Sequence, residues 1–109
     1  MSPKQQLDPR QTAVDEVVAS WPDVRAKQVF GHRGYVRGGK MFAFIADAGV
    51  SVRTFSDAEA AALYARDGVV PFVYNPGMEM RAWPVLPLRS DAELDAALSA
   101  VRAAYEAVR

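Results

Sequence analysis

Apolar residues recur at helical spacing at both ends of this chain and crowd into short runs between them. Near the start, Val14, Val17, Val18 and Trp21 fall on one stripe of a helix, which should face a sheet. Asp8-Pro9 opens that helix, because an Asp side chain accepts orphan amide protons at the cap and Pro suits the first turn. Pro22 stops it, and residues 1–7 read as a frayed, polar lead-in. From Val24 to Thr54 the period shortens, predicting strands near 25–30, 33–37, 41–47 and 50–54. Gly38-Gly39 supplies the positive backbone angles of a two-residue hairpin, and Asp47-Ala48-Gly49 the next turn. Met41 to Ala46 is apolar throughout, so that strand should lie centrally with both faces covered. Arg33, Tyr35 and Arg37 alternate along the strand before it, which implies a wet face. Reversing both arginines to Glu is therefore expected to leave the fold intact.

Ser56-Asp57-Ala58-Glu59 matches a capping box and opens a second helix, with Leu63 and Tyr64 inward and Gly68 as its stop. Val69 to Tyr74 and Met80 to Leu86 predict two more strands around a loop at Asn75-Pro76-Gly77. Ser90-Asp91-Ala92-Glu93 repeats the capping box. The last helix then carries Leu94, Leu98, Val101, Tyr105 and Val108 on one stripe, with Ala97 filling in. The predicted architecture is α+β: a single antiparallel sheet of about five to six strands with three helices, in the order α-β-β-β-β-α-β-β-α. At 109 residues, 1–109 reads as one domain, without repeats or linkers.

Two segments carry a family resemblance. Val29-Phe30-Gly31 leads into Tyr35-Val36-Arg37-Gly38-Gly39-Lys40-Met41-Phe42-Ala43, and Pro71-Phe72 leads into Pro76-Gly77-Met78-Glu79-Met80-Arg81-Ala82-Trp83, ending in Leu86-Pro87. Together, over roughly Val24 to Leu88, these resemble the N-terminal domain family of TfoX/Sxy, the bacterial competence regulators. Val29 stands where the family usually has Met. The MmcQ/YjbR family, often labelled DNA-binding, shares the Gly-Lys-Met-Phe-Ala hairpin and is a more distant relative in this reading. Full-length competence regulators add a C-terminal helix-hairpin-rich domain that is not found in this sequence, so activities residing there are not carried over. The resemblance implies a non-enzymatic regulatory or protein-interaction domain, working beside transcription machinery.

Composition narrows the chemistry. Thirteen basic and thirteen acidic residues give zero net charge, which lowers the prior for a dedicated nucleic-acid binder. The charge is uneven, however: Val24 to Thr54 holds six basic residues and Asp47 alone as acid, a surplus of five. The absence of cysteine excludes disulfides and thiol chemistry. No signal-peptide core or membrane-spanning run is present, so the expected site is the cytoplasm, with no membrane partner. His32 is the single histidine and has no orienting acid or nucleophile at a telling spacing, so it is assigned to a strand bend and no catalytic residue is expected. No metal site follows from one histidine, and no cofactor loop follows from glycines lying between strands.

The expected contact surface is Arg33, Tyr35, Arg37 and Lys40 on the sheet hairpin, with Trp83 partly exposed. Met78, Met80, Phe72 and Tyr74 are expected to join Trp83 chiefly in a core. An unidentified protein partner comes first, and nucleic acid bound weakly through the same basic sheet is the alternative. A small ligand held near Met80 and Trp83 is the third reading. A homodimer is expected more often than a monomer, since open sheet edges invite pairing.

Overall fold

In a computed structural model that describes residues 6–29 and 31–108, the chain forms three helices and six strands. They run α1 (Pro9–Ala19), β1 (Val24–Val29), β2 (His32–Arg37), β3 (Lys40–Ile45), β4 (Gly49–Val52), α2 (Asp57–Tyr64), β5 (Val70–Asn75), β6 (Met78–Pro87) and α3 (Asp91–Ala107). All pairings are antiparallel, in the spatial order β1-β2-β3-β4-β6-β5. This is the α+β order read from the sequence. Residues 1–5 of the expected lead-in, and Phe30 of the expected first strand, lie outside the described residues, whereas Leu7 packs against the core. Among the described residues no helix is long and apolar enough to cross a membrane.

Local chemistry sets the boundaries. At α1 the Asp8 carboxylate accepts from the Gln11 amide at 2.8 Å, while Gln11 Oε1 accepts from the Asp8 amide at 3.1 Å. Ser56 and Ser90 cap α2 and α3 by accepting from the amides of Glu59 and Glu93. The reciprocal bonds reach one residue further back: the Glu59 and Glu93 carboxylates accept from the amides of Phe55 and Arg89. Gly38 and Gly39 have φ of 59° and 79°, as a two-residue hairpin with both central residues left-handed requires. β3 and β4 end at Ile45 and Val52, short of the expected 47 and 54, and two further boundaries differ. α2 ends at Tyr64 with Ala65 as its cap, so Gly68 (φ 80°) turns the chain into β5 and does not stop the helix. β6 begins at Met78, because Pro76-Gly77 alone closes the β5–β6 turn.

All three helices lie on one side of the sheet. α1 and α3 bury Val14, Val18, Ala97, Val101 and Tyr105 against Tyr35, Phe42, Ile45, Val50, Val52 and Leu86. Each fully buried Val or Ile there contributes about 1.5–3 kcal/mol. Val17, expected inward, is exposed instead; the face of an eleven-residue helix that meets the sheet is filled by Val14, Val18 and Gln11. Gln11 is buried, and its Nε2 donates to the carbonyls of Ala46 (2.7 Å) and Gly49 (3.2 Å). The helix thereby pins the β3–β4 turn.

β3 explains its own unbroken apolar run. Tyr35 pairs with Ala43, but the next pair is Val36 with Met41, so Phe42 is an extra residue on β3. The bulge turns Phe42 and Ala43 both toward the helices, while Met41 and Phe44 join a second, smaller cluster. Both faces of β3 are covered, as its composition predicts.

The alternation of β2 has the expected period, but its polar set faces the helices and not solvent. Arg33, Tyr35 and Arg37 point at the helix layer. The Asp15 carboxylate of α1 accepts from Arg33 Nε and, at 2.7 Å, from the Tyr35 hydroxyl. Arg37 donates to the Tyr105 carbonyl at 2.9 Å and lies 4.2 Å over the Tyr105 ring. Amphipathic side chains reach helix-borne polar groups while their stems pack on the core, so this face is not wet.

Candidate functional site

Opposite the helices, the sheet carries an apolar well. Phe44 of β3 and Trp83 of β6 form its floor, their rings 5.4 Å apart. Phe72 of β5 stands edge-on to Phe44 at 4.8 Å and to His32 at 5.6 Å. β2 and β5 are four places apart in the strand order, so contact between His32 and Phe72 requires the sheet to curl toward its helix-free side. His32 Nδ1 donates to the Ile45 carbonyl at 2.9 Å, which fixes the ring as a wall of the well. Val29, Met41, Tyr74 and Met80 complete the rim of this half-open cavity of about 270 Å³.

A second depression of about 860 Å³ continues along β1 and β2, sharing Val29 and Met41 with the well and passing Arg25 and Lys27. The register explains why these cations share the face: Arg25 pairs with Val36, Lys27 with Gly34 and Val29 with His32. Gly34 matters here because a Cβ on it would press on the Met41 side chain at 3.2 Å. Beyond the well, Arg53 stands 5.8 Å over the Trp83 ring. Of the exposed large apolar residues of the β5–β6 hairpin, Tyr74 and Met80 line the rim and Met78 lies on the same face, whereas Val73, paired with Glu79, lies on the other.

The structure does not bring the expected contact residues together. Tyr35 is fully buried under α1, and Arg33 and Arg37 are engaged by α1 and α3. Burial is the main cause that pushes the Tyr35 hydroxyl well above the usual tyrosine range, and its hydrogen bond to Asp15 adds to it. The same carboxylate, chiefly through its hydrogen bond, raises Arg33. Lys40 alone of that hairpin set is exposed, beside the Gly38-Gly39 turn. Trp83 is on the other face and buried at 9 % exposure, correcting its expected role as a partly exposed contact. The expected methionine–aromatic core is also divided: Phe72 packs on the Phe44–Trp83 cluster, whereas Tyr74, Met78 and Met80 remain exposed. Sequence reading missed Val29, His32, Met41 and Phe44 as lining. The signal was in the other alternate set of β2, where His32, Gly34 and Val36 are less polar than Arg33, Tyr35 and Arg37.

Elsewhere polar groups join elements. Arg89 bridges Glu93 and Asp67, and its hydrogen bonds hold Glu93 below the usual carboxylate range. The Tyr64 hydroxyl donates to the Arg81 carbonyl at 2.8 Å, tying α2 to β6. Tyr105 lies between two guanidiniums, Arg37 at 4.2 Å and Arg102 at 4.9 Å from the ring centroid. Among the described residues no group of three His, Cys, Asp or Glu side chains is arranged to hold a metal ion.

Compared with known families, residues 16–108 match the model of the TfoX N-terminal domain. No curated protein and no solved structure matches the chain.

Proposed function

The chain belongs to the TfoX N-terminal domain family, and from that premise we propose that it is a non-enzymatic regulatory domain that docks a protein partner through the helix-free face of its sheet. The observation that carries this reading is the concentration of exposed Tyr74, Met78 and Met80 around the apolar well. Contiguous exposed apolar surface rimmed by polar residues marks interaction sites, and Met and aromatic residues are favoured in interface cores. Tyr35, whose hydroxyl is pushed well above the usual tyrosine range, and Arg33 both hold α1 to β2 on the far side of the sheet, which supports a non-catalytic role for the domain. A role beside transcription machinery follows from the family resemblance. A cysteine-free sequence suits the reducing cytoplasm as its site of action.

A photo-crosslinking residue placed at Met78, compared with one at Asp95 on the outer side of α3, tests the docking face. Expected are discrete protein adducts from position 78 that persist after nuclease treatment, and none from position 95. Adducts from 95 alone, or adducts removed by nuclease, would overturn the reading.

A further inference from the structure

We infer that the groove on the helix-free face seats an acidic peptide segment of the partner, which inserts one bulky apolar side chain into the well between Phe44, Phe72 and Trp83. This rests on the docking role proposed above and names the chemistry of its partner. Three observations converge on it.

The first is size. At about 270 Å³ the well lies just under the ~300–1,000 Å³ typical of pockets for whole small molecules. One Leu, Phe or Trp side chain suits it better than a free metabolite does. The second is the rim. Tyr74 and Met78 stay exposed around the opening at 46 % and 58 %. A molecule confined to the well would leave them wet, whereas a chain crossing the opening covers them and excludes water from the anchor.

The third is charge. The charged side chains placed on this face are Arg25 and Lys27 of β1, with Arg53 just after β4. Glu79 pairs with Val73 one step along from the Phe72–Met80 pair, so it lies on the opposite face of the hairpin. Arg25 and Lys27 are exposed and form no ion pair among the described residues. Asp23 sits at the outer end of the depression, away from the well. Carboxylates on a peptide lying from the well toward β1 would meet cations along most of that path, which gives both steering and register.

The test is fluorescence anisotropy of the full chain with a labelled short peptide in which Asp and Glu flank one central Phe. Saturable binding is expected, weakened about tenfold or more when the Phe becomes Ala, as for a buried anchor. A comparable loss is expected in an Arg25→Glu, Lys27→Glu variant, whose exposed substitutions should leave the urea midpoint unchanged. Met80→Glu, at the rim, should abolish the dependence on Phe. Equal binding of the Phe and Ala peptides, or no saturable binding, would overturn the inference. So would a dimer in sedimentation that Met80→Glu dissociates, since the groove would then seat a second copy. Adducts at position 78 without peptide binding would remove the acidic peptide and leave the docking face standing.

Discussion

At the scale of single residues, Asp15 decides how the sheet meets α1. One carboxylate accepts from both Arg33 and Tyr35, so the two β2 side chains that look solvent-facing in sequence are tied to a helix. Arg33→Glu places a second carboxylate beside Asp15 and is expected to cost about 1–2 kcal/mol, losing one ion pair and adding like-charge repulsion. A urea midpoint for Arg33→Glu equal to that of the parent would contradict the pairing. Tyr35 gives a pH-dependent counterpart. Its folded-state pKa is raised, first by burial and then by Asp15, so its contribution is fully present below the ordinary tyrosine value of about 10 and is lost as pH rises beyond it. Tyr35→Phe should be less stable at pH 7 by about 1 kcal/mol, the worth of one hydrogen bond. The gap should narrow in alkaline solution, because the variant lacks that titration; denaturation midpoints at neutral and alkaline pH measure it. None of this was legible from alternation alone. A period of two separates the faces of a strand but does not say which face a helix covers, and Arg and Tyr suit either.

The elements were far more legible, because their signals are local. Asp8-Pro9, Ser56 and Ser90 cap helices through bonds spanning three residues, and Gly38-Gly39 closes its hairpin with angles that belong to those two residues. Departures arose where a distant element intervened. Val17 is exposed because buried Gln11 shares the sheet-facing side of α1, its side chain reaching the Ala46 and Gly49 carbonyls. The bulge in β3 likewise depends on pairing with β2. Gly49 was legible only as a turn residue, yet its larger role is in the sheet. A Cβ there would run into the Leu86 carbonyl oxygen, where β4 meets β6. Gly49→Ala should therefore push β6 from β4 and loosen the β5–β6 hairpin that forms one side of the well. We expect a loss of about 2–4 kcal/mol, as for overpacking against rigid backbone. Hydrogen exchange should quicken at β4 and β6 while α1 stays protected; unchanged exchange at those strands would show that the sheet accommodates the methyl.

Over the whole molecule the curl of the sheet matters most, and it was the least legible feature. Contact between His32 and Phe72 joins residues forty positions apart in sequence, and no local pattern announces it. The charge pattern changes meaning in the same way. Val24 to Thr54 carries six basic residues and one acidic, yet the fold neutralises Arg33 with Asp15 and lays Arg37 on Tyr105. Arg25, Lys27, Lys40 and Arg53 remain exposed, while α3 adds Asp91, Glu93, Asp95 and Glu106 behind the sheet. A DNA backbone could then meet about three or four cations, which predicts a logarithmic salt slope near −3 and roughly a hundredfold loss of affinity between 50 and 200 mM salt. Binding at physiological salt should be sequence-independent and no tighter than roughly 10⁻⁴–10⁻⁶ M. Anisotropy with a labelled duplex at the two salt concentrations checks this. The contrast with the peptide is internal to the same face. Phosphates use only Arg25, Lys27 and their neighbours, so Met80→Glu should weaken a duplex no more than its added charge requires. An acidic peptide also needs the well, and Met80→Glu should cost it the contribution of its apolar anchor as well. Tight, sequence-selective duplex binding that survives physiological salt would make nucleic acid the natural occupant of the basic groove.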